Sequence, residues 1–121
     1  MQDFKLIVAG GRDFDDYTTM QLVLLGLGDH ALADVSVSIV SGMAPGADRL
    51  GALFAEEYHV PLHKFPAHWD TYGKRAGFIR NEEMSRAAHG LVAFWDKRSR
   101  GTAHMIKTMQ AQGKFVHIVN Y

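Results

Sequence analysis

Val40-Ser41-Gly42-Met43-Ala44-Pro45-Gly46-Ala47-Asp48-Arg49 reads as the end of a strand, a glycine-rich turn and the start of a helix. The run leading into it, Val35 to Val40, is mostly β-branched, and such side chains pack well on a pleated surface. Gly42 and Gly46 admit backbone geometries that a side chain forbids. Pro45 is tolerated in a first helical turn, where an N–H is unpaired anyway. Such a turn aims free N–H groups, at the positive end of a helix dipole, into one small space that suits a phosphate or another anion. The same residues also make an ordinary strand-to-helix connection, so this stretch alone leaves the ligand open.

The pattern repeats on both sides of this stretch. Phe4 to Ala9 is a short apolar run that reads as a buried strand, closed by Gly10-Gly11-Arg12-Asp13. Asp15 and Asp16 suit a helix start, and Tyr17, Met20, Leu24, Leu27 and Ala31 follow at helical spacing. After the central turn, Ala47, Leu50, Phe54 and Tyr58 share one helix face. Val60 to Phe65 reads as a third strand, with Pro61 near its start or on an edge. His68 to Lys74 reads as a polar and aromatic loop, and a helix is predicted from about Ala76 to Ala88, with Glu83 an awkward member of its apolar stripe. Leu91 to Trp95 is a fourth strand, Asp96 to Thr102 a basic loop, Thr102 to about Gln112 a helix stopped by Gly113, and Phe115 to Val119 the last strand.

Near-continuous apolar strands alternating with helices predict an α/β fold: a doubly wound, five-stranded parallel sheet, order 3-2-1-4-5, with helices on both faces. The 121 residues suit one domain, and 47% of them are hydrophobic, enough for a real core. No cysteine is present, which excludes a disulfide framework and fits a cytoplasmic protein. The N-terminus lacks the basic and long apolar regions of a signal peptide, and no apolar run reaches the roughly 20 residues of a membrane span. The formal net charge is +0, without the excess of a general nucleic-acid binder. The second half of the chain is nonetheless basic and the first half acidic.

In such a sheet, ligands bind at the carboxyl ends of the strands near the switch point. Three polar loops follow strands 1, 2 and 4, and the predicted order brings Arg12, Ser41, Gly42, Ser99, Gly101 and Thr102 to one crevice. The loop after strand 1 is not G-x-G-x-x-G, and G-x-x-x-x-G-K-[ST] is absent, which argues against a standard dehydrogenase or ATPase. The seven histidines form no H-E-x-x-H pair, and Ser41 is not in a G-x-S-x-G elbow. The pattern calls for no metal and no cofactor. The methionines at 20, 84, 105 and 109 lie at helical spacing and read as core.

Four elements together carry a resemblance. They are Gly10-Gly11-Arg12-Asp13-Phe14, Ser41-Gly42-x-Ala44-x-Gly46-Ala47-Asp48, Trp69-x-x-x-Gly73-x-x-Ala76-Gly77-x-x-Arg80-Asn81-x-x-Met84, and Gly101-Thr102. The set resembles the YspA/YpsA-related branch of the SLOG superfamily, over nearly the whole chain. The resemblance implies a Rossmann-like fold that binds nucleotides or nucleotide-derived ligands. Relatives include the Lonely Guy phosphoribohydrolases, the single-strand-binding DprA proteins, and sensor domains for ADP-ribose-type signals. The Lonely Guy pattern is P-G-G-x-G-T-x-x-E, with a catalytic glutamate. Here Lys97-Arg98-Ser99-Arg100 precedes Gly101-Thr102, and Met105 stands where that glutamate would be. Arg80 matches the family's arginine in the preceding helix.

The first expectation is therefore a binding protein for a nucleoside phosphate or an ADP-ribose-like ligand. Gly42, Gly46, Gly101 and Thr102 would form the phosphate cradle, with Gly10, Gly11, Ser41, Ala44 and Ser99 also at the ligand site. Arg12, Arg80, Asn81 and Arg100 would give polar contacts, and Asp13 or Asp48 would accept from ribose hydroxyls. Asp48 serves equally as a helix N-terminal charge, and Arg80 as an ion-pair partner of Glu83 or Asp96. The alternative is an N-glycosidic hydrolase of nucleoside monophosphates, with Asp13 or Glu83 as candidate catalytic carboxylates and Glu82 also available. A third reading is single-stranded nucleic-acid binding by Arg98, Arg100, Lys74, Arg75 and Trp69. Apolar residues on several faces of the helices around Phe78 and Met105, with the dimeric Lonely Guy relatives, lead to the expectation of a homodimer.

Overall fold

The computed structural model describes residues 1–121. Strand β1 (Gln2–Gly10) is followed by α1 (Tyr17–Asp29), β2 (Val35–Ser41), α2 (Ala47–Glu57) and β3 (Leu62–Lys64). After these come α3 (Trp69–Tyr72), a 3₁₀ turn (Gly73–Arg75), α4 (Ala76–Ala87), β4 (Gly90–Trp95), α5 (Arg100–Ala111) and β5 (Phe115–Asn120). The sheet runs β3-β2-β1-β4-β5 and every neighbouring pair is parallel. This is the doubly wound, Rossmann-like order that the strand–helix alternation predicts.

The register explains why the strands are apolar throughout. Leu6 lies opposite Ile39, and Ile7 opposite both Val40 and Leu91. Alternate residues then serve opposite faces. Leu6, Val8, Ile39, Val92 and Phe94 pack with Met20, Leu24 and Phe54 of α1 and α2. Ile7, Ala9, Val40, Leu91 and Ala93 pack with Met84, Met105, Ile106 and Met109 of α4 and α5. A strand buried on both faces has no polar side to show, which is why the runs read as continuous. The four methionines predicted as core are 0–1% exposed. No helix is long and apolar enough to cross a membrane.

The structure differs from the sequence expectation at element ends. The segment His68–Lys74, expected as a loop, is a single helical turn and a 3₁₀ turn. Strand β3 pairs only over Leu62–Lys64, because Pro61 has no N–H to offer and contributes only its carbonyl, to Ile39 N–H. Helix α1 begins where Asp16 accepts a hydrogen bond from Thr19 N–H at 3.1 Å. Tyr58 lies just past the end of α2 rather than within it. Glu83 points outward on α4, which resolves its misfit in the apolar stripe.

Candidate functional site

The switch point falls between β1 and β4, and a crevice of about 250 Å³ opens at their carboxyl ends. Its walls come from the β1 loop, the start of α2, the α3–α4 segment and the first turn of α5. A second crevice of about 330 Å³ adjoins it over the Gly42–Pro45 turn, sharing Arg12, Ala44, Trp69 and Arg80.

A chain of polar contacts ties these walls together. Arg80 donates Nη1–H to the Gly42 carbonyl and Nε–H to Asn81 Oδ1. Asn81 in turn donates to the Gly101 carbonyl at 3.1 Å. The alternative partners for Arg80, Glu83 and Asp96, are not the groups it bonds. Asp48 is 5% exposed and lines the crevice beside Gly42. Burial pushes its carboxyl up to about 6, against the opposing pull of Arg80 and of the Ala44 amide. Burial likewise lowers the Arg80 guanidinium, and the neighbouring Arg12 adds to that, while Asp48 offsets it.

The glycine-rich turn uses part of its amide set internally. Met43 N–H donates to Ser41 Oγ, Ala44 N–H to Asp48 Oδ2, and Ala47 N–H to the Gly11 carbonyl. One oxygen of the Asp48 carboxylate thus takes up the Ala44 amide of this turn. Ser41 is fully buried, and its hydroxyl also donates to the Asp48 carbonyl, so it fastens the turn rather than facing the crevice. Gly46 packs its Cα against the Gly11–Arg12 backbone. Gly42 sits against Arg80 and Asp48 on the side of the second crevice.

Open amides are also found at α5. Its first turn starts at Arg100, two residues earlier than the sequence reading, because Ser99 is the cap. Ser99 Oγ accepts from Thr102 N–H, and Asp96 Oδ1 accepts from the Arg98 and Ser99 amides at 2.8 Å. The amides of Arg100 and Gly101 lie in the stretch a helix cannot satisfy internally. A Cβ on Gly101 would meet nothing within 4 Å, and Gly101 lines the crevice. Ser99→Ala is expected to cost about 1 kcal/mol of stability through loss of this cap, read as a lower urea midpoint with unchanged slope.

Of the residues singled out from the sequence, Gly10, Arg12, Ala44, Asp48, Arg80, Asn81, Ser99, Gly101 and Thr102 line the first crevice together. Gly11 instead abuts the Tyr121 ring, and Arg100 is an exposed residue outside the lining. The two proposed catalytic carboxylates do not reach the crevice lining. Asp13 accepts a 2.6 Å hydrogen bond from Tyr121 Oη, and Glu83 faces solvent on α4. Asp48 is the one carboxylate in either lining. Met105 lines the floor and is 1% exposed.

Sequence reasoning left Lys74, Gly77 and Phe78 out of the ligand site, and placed Trp69 and Lys74 on a nucleic-acid surface instead. All four line the first crevice. Trp69 and Phe78 are 49% and 42% exposed, large aromatic areas beside a cationic cleft. Phe78 is held edge-on against the His104 ring. The signal available was the spacing from Trp69 through Gly77 to Arg80, once His68–Lys74 is recognised as helical.

A sequence model described as the YspA, cpYpsA-related SLOG family matches residues 4–72. That span holds β1, β2 and the loops after them, while Arg80, Asn81 and the α5 turn lie beyond it. The Gene 61 protein of Mycobacterium phage D29 is similar to the chain at 32% identity over 129 aligned residues, covering 97% of this chain and 95% of the phage protein. No solved structure matches the chain. The family match over more than half the residues, on a sheet of the order its loops predict, places the assignment on firm ground: the chain belongs to the YspA, cpYpsA-related SLOG family.

Proposed function

We propose that the protein binds a nucleoside phosphate or a related nucleotide-derived ligand in the crevice between β1 and β4. Family membership points to nucleotide-related binding or processing. The observation that carries the reading is the composition of the crevice: Arg12, Lys74 and Arg80 set against a single carboxylate, beside the open first turn of α5. The phosphate lies against Gly101 and the arginines, where charge-assisted hydrogen bonds and the helix dipole act together. The base stacks on Trp69 or Phe78, and the ribose hydroxyls reach Asn81 and Asp48.

Calorimetry with AMP and GMP, together with mass spectrometry of ligands released from purified protein, tests this. Arg80→Ala is expected to weaken binding by about 1.5–3 kcal/mol, the range for a hydrogen bond to a charged group. Unaltered affinity in a folded variant would remove Arg80, and the phosphate placement, from the reading.

A second reading is cleavage of the N-glycosidic bond, and Asp48 is what favours it. A buried carboxyl raised to about 6 holds its proton closer to neutrality than a surface aspartate, as a general acid requires. Chromatography of nucleoside monophosphates incubated with the protein separates the two readings. The binding reading expects negligible free base. Release abolished by Asp48→Asn, and untouched by Asp13→Asn and Glu83→Gln, establishes the enzyme instead.

A further inference from the structure

A third crevice, of about 250 Å³, opens between α1, α2 and the sheet face they cover, and it shares no residue with the two at the carboxyl ends of the strands. Its floor is core: Leu6, Leu24, Leu32, Ile39 and Phe54 line it and are each 1–6% exposed. Leu25 and Tyr58, 41% and 39% exposed, stand at its rim. Tyr58 is held by its stack on Phe54, with ring centres 4.4 Å apart, and by a hydrogen bond from Gln21 Nε2. Gly28 leaves the mouth without a side chain, and a Cβ there would meet nothing within 4 Å.

The rim is negative. Asp29 is the one charged residue in the lining, and no lysine, arginine or histidine joins it. His30 and His59, close by in sequence, are exposed and outside the lining. The crevice sits where α1 ends at Asp29 and α2 at Glu57, and neither helix has a basic residue in its last turn. A helix C-terminus is the negative end of the dipole, so two helix ends and a carboxylate act on one opening.

Size selects the kind of occupant. An apolar cavity of about 150 Å³ admits a benzene-sized ring, whereas drug-sized ligands take about 300–1,000 Å³. A helix, about 10–12 Å across with its side chains, does not enter. We infer that the third crevice binds a compact aromatic molecule, of one or two fused rings, that carries a single cationic amine. The ring takes the apolar floor beside Phe54 and Tyr58, where burial of its surface drives binding. The amine stays at the rim with Asp29 and the helix ends, which choose it by charge. This site stands apart from the nucleotide reading and does not depend on it.

The test titrates the whole chain with indole, tryptamine and indole-3-acetate, which share a ring and differ in charge. It follows the methyl NMR signals of Leu24, Leu32 and Ile39. Saturable shifts at these methyls are expected, with tryptamine at least about threefold tighter than indole and indole-3-acetate the weakest. Asp29→Asn should cut the preference for tryptamine at least about twofold. Val37→Phe, which fills the crevice, should weaken all three probes at least about tenfold. If that variant does not fold, Gly28→Leu takes its place, since it puts bulk at the open mouth and replaces a poor helix residue. No shift at these methyls, indole-3-acetate binding as tightly as tryptamine, or a preference unchanged in Asp29→Asn overturns the inference. A concentration-dependent dimer that perturbs the same methyls, is lost in Leu25→Lys and leaves no room for a ring overturns it in favour of a second copy of the chain on this face.

Discussion

Gly46→Ala is expected to destabilise the protein by at least about 3 kcal/mol, measured as the loss of unfolding free energy in urea. Two costs combine. Gly46 has φ 84° and ψ −130°, a conformation that residues with a side chain rarely adopt. A Cβ there would also strike the Gly11 carbonyl oxygen and lie 2.6 Å from the carbonyl carbon and oxygen of Arg12. That contact is backbone on backbone, so no rotamer change relieves it. The Gly11 carbonyl accepts the Ala47 amide, so the displacement would also loosen the start of α2. Gly113→Ala gives the comparison, because Gly113 has φ 68° with nothing within 4 Å of a Cβ. It is expected to cost only about 1–2 kcal/mol, from backbone conformation alone. Equal losses in the two variants would show that the approach of α2 to the β1 loop tolerates a methyl group. Ligand affinity should fall with Gly46→Ala as well, since Arg12 rides on the displaced backbone.

The contrast between these two glycines also marks what the sequence can express. The sheet was legible because burial on both faces forces continuous apolar runs such as Leu6–Ala9 and Leu91–Phe94, and runs separated by helices leave few topologies. The crevice position followed from strand order. Legibility ended where a contact spans the chain. Nothing near Asp13 announces Tyr121, 108 residues away, whose hydroxyl occupies its carboxylate. Nothing near Ser41 shows that its hydroxyl closes the turn on Asp48 rather than facing a ligand. Part of the glycine-rich turn was illegible for the same reason. Its composition is that of an anion site, but the Asp48 side chain folds back onto the Ala44 amide and takes up that donor. Composition names the donors available; only the fold decides which acceptor reaches them first. The α5 turn was under-read because Ser99 looked like one more loop residue, whereas as a cap it starts the helix at Arg100 and opens Gly101 to the crevice.

The parent protein should lose stability relative to Asp48→Asn as the pH rises from about 4 to about 7, by about 3 kcal/mol in all. The Asp48 carboxyl has its ordinary value, 3.8, in the unfolded chain and is raised to about 6 in the fold, with burial the main cause. The folded state therefore holds the proton more tightly than the unfolded one. Between the two values the fold binds a proton that the unfolded chain has released, so stability falls with rising pH across that window and levels off above it. A difference of about two units corresponds to about 3 kcal/mol at about 1.4 kcal/mol per unit. Asp16 and Asp96 act with the opposite sign. Thr19 holds the first below its ordinary value, and the Ser99 and Arg98 amides hold the second. The stability they add is present above about pH 4 and lost below it, largely outside the Asp48 window. Asparagine keeps an oxygen for the Ala44 amide but carries no charge to desolvate, so the variant removes the slope specific to Asp48. Urea unfolding at pH 4.5, 5.5, 6.5 and 7.5 on both proteins gives the comparison. Parallel curves would mean that Arg80 and Arg12 neutralise the carboxylate fully, making it an ordinary ion-pair partner rather than a group held near neutrality. Converging curves, with the variant gaining on the parent at each step upward, would give the crevice a carboxyl that exchanges its proton close to neutral pH.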